Sequence, residues 1–170
     1  MKNRGFTLIE LLVVVTIIAV LALALGFSFQ GWIGGYKIES QTKDLYADMM
    51  AARISAMQTN TSHFVVVTSD ADRGQYSVFE DANGNGAYDA GTENVMQKFT
   101  NPKILDYPLL CNGAECDDVV TFNPKGIASP NGTIHLDKGD NNPDYDCIVV
   151  FSTRINIGKW DDDDEECDAK

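Results

Sequence analysis

Basic side chains are scarce in this chain: 13 Lys and Arg stand against 25 Asp and Glu, for a formal charge of −12. That balance counts against nucleic acid as a partner, because a surface that tracks phosphates must supply Lys or Arg at each contact. It suits divalent cations instead. Histidine is scarcer still, with only His63 and His135, too few for a histidine-rich metal centre. No Gly-x-Ser-x-Gly, P-loop or dinucleotide-binding glycine fingerprint occurs. The carboxylates cluster in loops, where a solvated acidic surface is the simplest reading, so no enzyme is expected. There is no internal repeat and no low-complexity linker, and 170 residues leave room for one globular domain beside a helical anchor.

Charge is missing altogether from Leu11 to Phe29. As a helix that run is about 28 Å long, close to the roughly 30 Å of a bilayer's hydrocarbon core. Lys2 and Arg4 precede it, which predicts a single pass with the amino end in the cytoplasm and everything after Gln30 outside. Glu10 sits at the edge of this run, where an unpaired carboxylate costs about 2.5 to 3.5 kcal/mol. If the chain is cut between Gly5 and Phe6, the new α-ammonium lies one helical turn from Glu10, and a neighbouring copy can offer its own amine. Glu10 therefore reads as an assembly contact. An ordinary secretory signal or a plain membrane anchor explains the apolar run but has no use for that carboxylate.

The residues Lys2-Asn3-Arg4-Gly5, followed by Phe6-Thr7-Leu8-Ile9-Glu10, resemble the class III signal of type IV prepilins and type II secretion pseudopilins. The resemblance implies a prepilin peptidase that cuts after Gly5 and methylates the Phe6 amine. It also implies hydrophobic helices packed into a filament core, with Glu10 facing the Phe6 amine. The expected organisation is a leader at 1–5, a long helix at 6–60 whose membrane or filament-core part is 6–30, and a β-rich periplasmic or extracellular domain at 61–170.

Beyond the membrane run, Ile38, Leu45, Met49, Ala52 and Ala56 recur along one helical face that should cover a sheet. Lys37, Glu39, Lys43, Asp44 and Asp48 point away from its centre line, and the pattern stops in the polar cluster Gln58 to Ser62. Glycines at 26, 31, 34 and 35 mark a weak point, each costing about 0.8 to 1 kcal/mol relative to alanine. Trp32 and Tyr36 suit an interfacial belt. From His63 onward short β-rich runs alternate with turn residues: Phe64 to Val67, Gln75 to Glu80, Val95 to Phe99, Val119 to Phe122, Thr133 to Leu136, Cys147 to Phe151 and Arg154 to Ile157. Asp161 to Glu166 reads as a solvated tail.

Four cysteines, Cys111, Cys116, Cys147 and Cys167, lie on the side where disulfides persist, and they allow three connectivities. Cys111 with Cys116 and Cys147 with Cys167 are the expected pairs. Their irregular spacing, with no histidine beside them, disfavours zinc.

Val119-Thr-Phe-Asn-Pro-Lys-Gly-Ile-Ala-Ser, Asn131-Gly-Thr-Ile-His-Leu and the closing Ile148-Val-Val-Phe-Ser-Thr-Arg-Ile-Asn-Ile resemble the last strands of H-type minor pseudopilins and FimT-type minor pilins. Thr153-Arg154 stands where that family carries Gly-Arg, and Asp137 to Asp146 and the tail after Trp160 look like additions. The implied fold is α+β and pilin-like, with a long N-terminal hydrophobic helix packed on a mostly antiparallel sheet domain. The implied role is a structural subunit of a type IV pilus or a type II secretion pseudopilus, processed at the bacterial inner membrane and partnered by other pilins. Two alternatives stand beside it: a membrane-tethered, calcium-binding module that does not polymerise, and a DNA-uptake minor pilin. The second would need more than Lys125, Arg154 and Lys159 near the closing strands.

One loop carries a metal-like spacing. Asp81, Asn83 and Asn85 fall at positions 1, 3 and 5 of an EF-hand loop, Gly86 at the turn, the Ala87 carbonyl at 7 and Asp89 at 9. Thr92 occupies position 12, where a bidentate glutamate belongs, and Glu93 comes one residue later. Calcium is the expected cofactor, against the alternative that Asn83-Gly84 and Asn85-Gly86 merely supply turns.

Overall fold

The computed structural model describes residues 6–26, 29–96 and 102–169. Two helices open the chain, α1 (Leu8–Gly26) and α2 (Phe29–Thr59). Thr7 caps the first: its Oγ1 accepts a hydrogen bond from the Glu10 amide at 3.3 Å, while Glu10 Oε2 accepts from the Thr7 amide and hydroxyl at 3.1 and 2.9 Å. This reciprocal exchange satisfies amides that a helix start otherwise leaves unpaired. Among the described residues no helix is long and apolar enough to cross a membrane. The expected span from Leu11 to Phe29 passes through positions 27 and 28, which lie outside them, as does the leader at 1–5.

The buried stripe of α2 is the one its spacing predicts, with Ile38, Leu45, Met49, Ala52 and Ala56 all fully buried. Thr42 joins them unexpectedly. A hydroxyl can occupy this core position because its Oγ1 donates back to the Ile38 carbonyl at 2.9 Å, leaving no orphan. α2 stops at Thr59, and Asn60 turns into the left-handed region with φ 55°.

Among the described residues twelve strands follow: β1 (His63–Ser69), β2 (Gly74–Glu80), β3 (Asn94–Val95), β4 (Lys103–Ile104), β5 (Leu109–Cys111), β6 (Ala114–Glu115), β7 (Asp117–Phe122), β8 (Ala128–Ser129), β9 (Gly132–Leu136), β10 (Cys147–Val150), β11 (Ile155–Asp161) and β12 (Glu166–Ala169). They form two antiparallel sheets. The first runs β3-β2-β1-β7-β8, with β4 also on β2, and the second runs β12-β11-β10-β9-β5-β6. Side chains at alternate positions, among them Val65, Val67, Phe122, Ile134, Leu136, Ile148 and Val150, are buried in one core with the α2 stripe.

Two expectations change. Of the strand expected at Val95 to Phe99, Val95 is strand, together with Asn94 in β3, Met96 is not, and residues 97–101 lie outside the described set. Asp44 and Asp48, off the centre line of the stripe, reach the sheet: Tyr76 donates its hydroxyl to Asp48 Oδ2 at 2.7 Å, and Lys103 Nζ reaches Asp48 at 3.2 Å and Asp44 at 3.6 Å. Burial, then the Asp48 carboxylate, pushes the Tyr76 hydroxyl far above its ordinary pKa.

The second change is the acidic run. Asp161 to Glu166 is solvated as expected but is the bend of a hairpin and not a tail, because β12 pairs with β11, placing Trp160 opposite Cys167 and Gly158 opposite Ala169. A disulfide fastens the returning strand to β10, and the close approach needs Gly158, where a Cβ would stand 2.2 Å from the Asp168 carbonyl oxygen.

Candidate assembly site and acidic loop

On α1 the apolar side chains are not arranged in a stripe. Leu8, Leu11, Leu12, Val15, Ile18 and Leu21 are all exposed, and so are their neighbours on the other faces. A helix that is hydrophobic all round is stable only when lipid or other helices surround it. At its start Phe6 is 82% exposed, and the Glu10 carboxylate is directed at Thr7. Gly5, the residue before the expected cut, lies outside the described residues. The first turn thus sets one capped carboxylate at the head of an uncovered apolar rod.

The four cysteines form two bridges, Cys111 to Cys116 with Cα atoms 4.8 Å apart and Cys147 to Cys167 with Cα atoms 6.0 Å apart. The first closes the β5–β6 turn, where Asn112 and Gly113 both take positive φ. The second holds the last strand.

The loop between β2 and β3 is folded around Asp81, which is 5% exposed. Its Oδ1 accepts from the Gly84 amide at 2.6 Å and its Oδ2 from the Gly86 amide at 2.8 Å. Both glycines have positive φ, 73° and 76°, which is the conformation that lets the backbone wrap a single carboxylate. Asn83 and Asn85 turn their amide nitrogens toward Asp89 Oδ2, at 3.0 and 2.6 Å, while their oxygens accept from the amides of Asn85 and Ala87. Tyr88 packs on Phe64 and Phe79 and pins the loop to the sheet. Glu93 Oε2 accepts from the Ala82 amide at 2.6 Å, and its Oε1 is buried without a hydrogen-bond partner. Among the described residues no three His, Cys, Asp or Glu side chains form a group that could hold a metal ion.

Two features escape sequence reasoning. His135 is 5% exposed and stacks on Trp160 with ring centroids 3.9 Å apart, and desolvation lowers its pKa to about 4 against the raising effect of Asp137 and Asp162. Asp146 is fully buried: its Oδ1 accepts from the Trp160 amide at 2.5 Å, and Lys138 Nζ stands 3.9 Å from its Oδ2. Both residues depend on the β11–β12 hairpin, which composition alone disguises as a tail.

A capped apolar helix, exposed among its described side chains, leads into a helix half buried in a two-sheet domain. The comparisons with known proteins say what kind of protein this is. The model of the type II transport protein GspH family matches residues 41–153, and that of the prokaryotic N-terminal methylation motif matches residues 1–26. The chain belongs to the GspH family and is a structural subunit of the pseudopilin and minor pilin kind. These matches do not favour a non-polymerising tether or a DNA-uptake pilin. Neither the curated proteins nor the solved structures yield a match.

Proposed function

We propose that the chain is inserted in the bacterial inner membrane as a single-pass precursor with residues 61–170 in the periplasm. It is then cut after Gly5, methylated at Phe6 and drawn into a filament by α1. The carrying observation is the all-round exposure of apolar side chains on α1 with Glu10 as its one carboxylate. In a filament the neighbouring helices remove those side chains from water or lipid, and Glu10 exchanges its bond to Thr7 for a neighbour's Phe6 ammonium, a charge-assisted contact stronger than a neutral one. The partners are other pilins and the prepilin peptidase. The role is structural, without catalysis by this chain. Mass spectrometry of the assembled fraction should find a mature chain beginning with N-methylated Phe6. Intact Met1 in assembled filaments overturns the reading.

We further infer that the loop 81–93 takes up calcium outside the cytoplasm, with Asp81, Asn83, Asn85, the Ala87 carbonyl, Asp89 and Glu93 as the donors. The supporting observation is Glu93 Oε1, a buried carboxylate oxygen without a partner beside the Asp81 end of the loop. Both asparagine amides now donate to Asp89, and a bound cation requires their side chains to swing so that the oxygens, which now accept from the Asn85 and Ala87 amides, face it. The protein in detergent should gain thermal stability in millimolar calcium. No gain, or the same gain in Asp81→Ala with Asp89→Ala, leaves the loop as a turn only.

A further inference from the structure

The outer face of the second sheet holds a cleft of about 580 Å³ to which neither the assembly helix nor the 81–93 loop contributes. Its floor is Thr133 and His135 from β9 and Val149 from β10. One wall is the β5–β6 turn at Asn112 and Gly113, and the other is the β11–β12 hairpin with Trp160, Asp162, Glu165 and Glu166. Phe151 closes one end.

The chemistry of the lining is one-sided. Three carboxylates border the cleft, and among the described residues no lysine or arginine lines it. Asp162 is already engaged from outside, with Lys138 Nζ at 2.7 Å, but Glu165 and Glu166 form no ion pair among the described residues. Beneath them His135 is more than nine-tenths buried, and its Nδ1 has no hydrogen-bond partner. Desolvation keeps the ring neutral at physiological pH despite the acids around it, so it adds no charge of its own to the cleft. The three carboxylates offer only acceptors, and Trp160 and Phe151 line the same cleft. A guanidinium already uses one of these rings: Arg154 lies over Phe151, 4.7 Å from the ring centroid.

Acceptors beside aromatic side chains, with net negative charge, match an arginine better than any other side chain. Its planar head supplies five donors, stacks on rings and is more weakly hydrated than an ammonium. We propose that this cleft is a binding site for an arginine side chain presented by a protein partner, with Glu165 and Glu166 taking the guanidinium edge and the Trp160 and His135 pair forming the surface beside it. The Cys147–Cys167 bridge gives the acidic wall a fixed distance from the floor. The site is independent of the filament reading, since it uses no residue of α1.

The test uses the full chain in detergent with Trp32→Phe, which leaves Trp160 as the only tryptophan. A blocked Gly-Gly-Arg-Gly-Gly peptide should change Trp160 fluorescence saturably, and the same peptide with citrulline, which keeps the shape and removes the charge, should bind at least about tenfold more weakly. Glu165→Gln with Glu166→Gln, exposed changes in a hairpin bend, should weaken the arginine peptide by a similar factor. Added salt should weaken it further. An equal response to citrulline, no saturable response, or an unchanged double variant overturns the proposal. A lysine peptide that binds as tightly as the arginine peptide overturns the choice of guanidinium. Because the readout is direct binding, its failure leaves filament entry untouched.

Discussion

α1 and α2 are both regular helices, yet they solve the problem of apolar side chains in opposite ways. α2 buries one stripe, Ile38, Leu45, Met49, Ala52 and Ala56, against the two sheets, and leaves Trp32, Ile33, Tyr36, Ile54 and Met57 exposed off it. α1 spreads its apolar side chains over its whole circumference and, among the described side chains, buries none. The difference is informative because hydrophobic burial is the main favourable term in folding and association alike. A helix that leaves all of it uncollected has its binding partner elsewhere, and the same apolar content means core in one helix and interface in the other.

The contrast can be broken most sharply at Glu10. Glu10→Ala removes the one group on α1 that can take a neighbour's ammonium, and incorporation into filaments should fall by about tenfold or more, a ratio worth 1.4 kcal/mol. Thermal unfolding of the β domain should not move. Equal incorporation of the variant, measured by co-purification with the filament, sinks the assembly role of that carboxylate.

The reverse experiment cuts into α2. Leu45→Ala opens a hole in a fully buried stripe and should cost about 2 to 5 kcal/mol in denaturant unfolding, whereas Val15→Ala on α1 should stay within about 0.5 kcal/mol. Similar losses from both would mean that α1 has cover within its own chain. A smaller effect is expected from the bridges. Cys147→Ser with Cys167→Ser releases a longer loop than Cys111→Ser with Cys116→Ser, about 3 against about 2 kcal/mol in the chain-entropy account. Calorimetry on the two double variants orders them.

The finest effect is one of pH. His135 is held neutral by burial, its pKa lowered from 6.5 to about 4, with Asp137 and Asp162 opposing the shift and Lys138 assisting it. Its contribution is present above pH 6.5 and lost as pH falls from 6.5 toward 4, because there the unfolded chain binds a proton that the folded one refuses. Asp146 works the other way. Desolvation raises its pKa above 3.8 despite the Trp160 amide and Lys138, so its contribution is largest in acid and declines as pH rises through the raised value. Stability curves of His135→Gln should lose the decline between pH 6.5 and 4, while Asp146→Asn should gain at neutral pH relative to the parent. Curves that overlay the parent in both cases remove the two residues from the balance.

Much of this architecture is written in residue spacing. The stripe Ile38, Leu45, Met49, Ala52 and Ala56 follows from helical period alone, and the strand runs after His63 follow from β-branched residues between turns, because both patterns are local. What escapes is non-local. Asp161 to Glu166 looks like a free tail until Cys167 is seen to lie against β10, and only that pairing builds the wall beside Trp160 and His135. Thr42 escapes for a related reason, since a hydroxyl counts as polar in a pattern although its bond to Ile38 makes it fit for a core. In the 81–93 loop the donor spacing is legible, but which asparagine atom faces inward depends on the whole hydrogen-bond set.

The margins of the two sheets carry a consequence for crowding. The first sheet ends in the two-residue strands β3 and β8, and the second ends in β6, equally short, and in β12, whose Glu166 and Asp168 place an acid at every other position. A long, flat, uncharged margin templates the addition of a foreign strand, whereas a short or charged one resists it. Copies held shoulder to shoulder therefore have no easy route to zip their sheets together, and the domains stay separable however closely their helices are bundled.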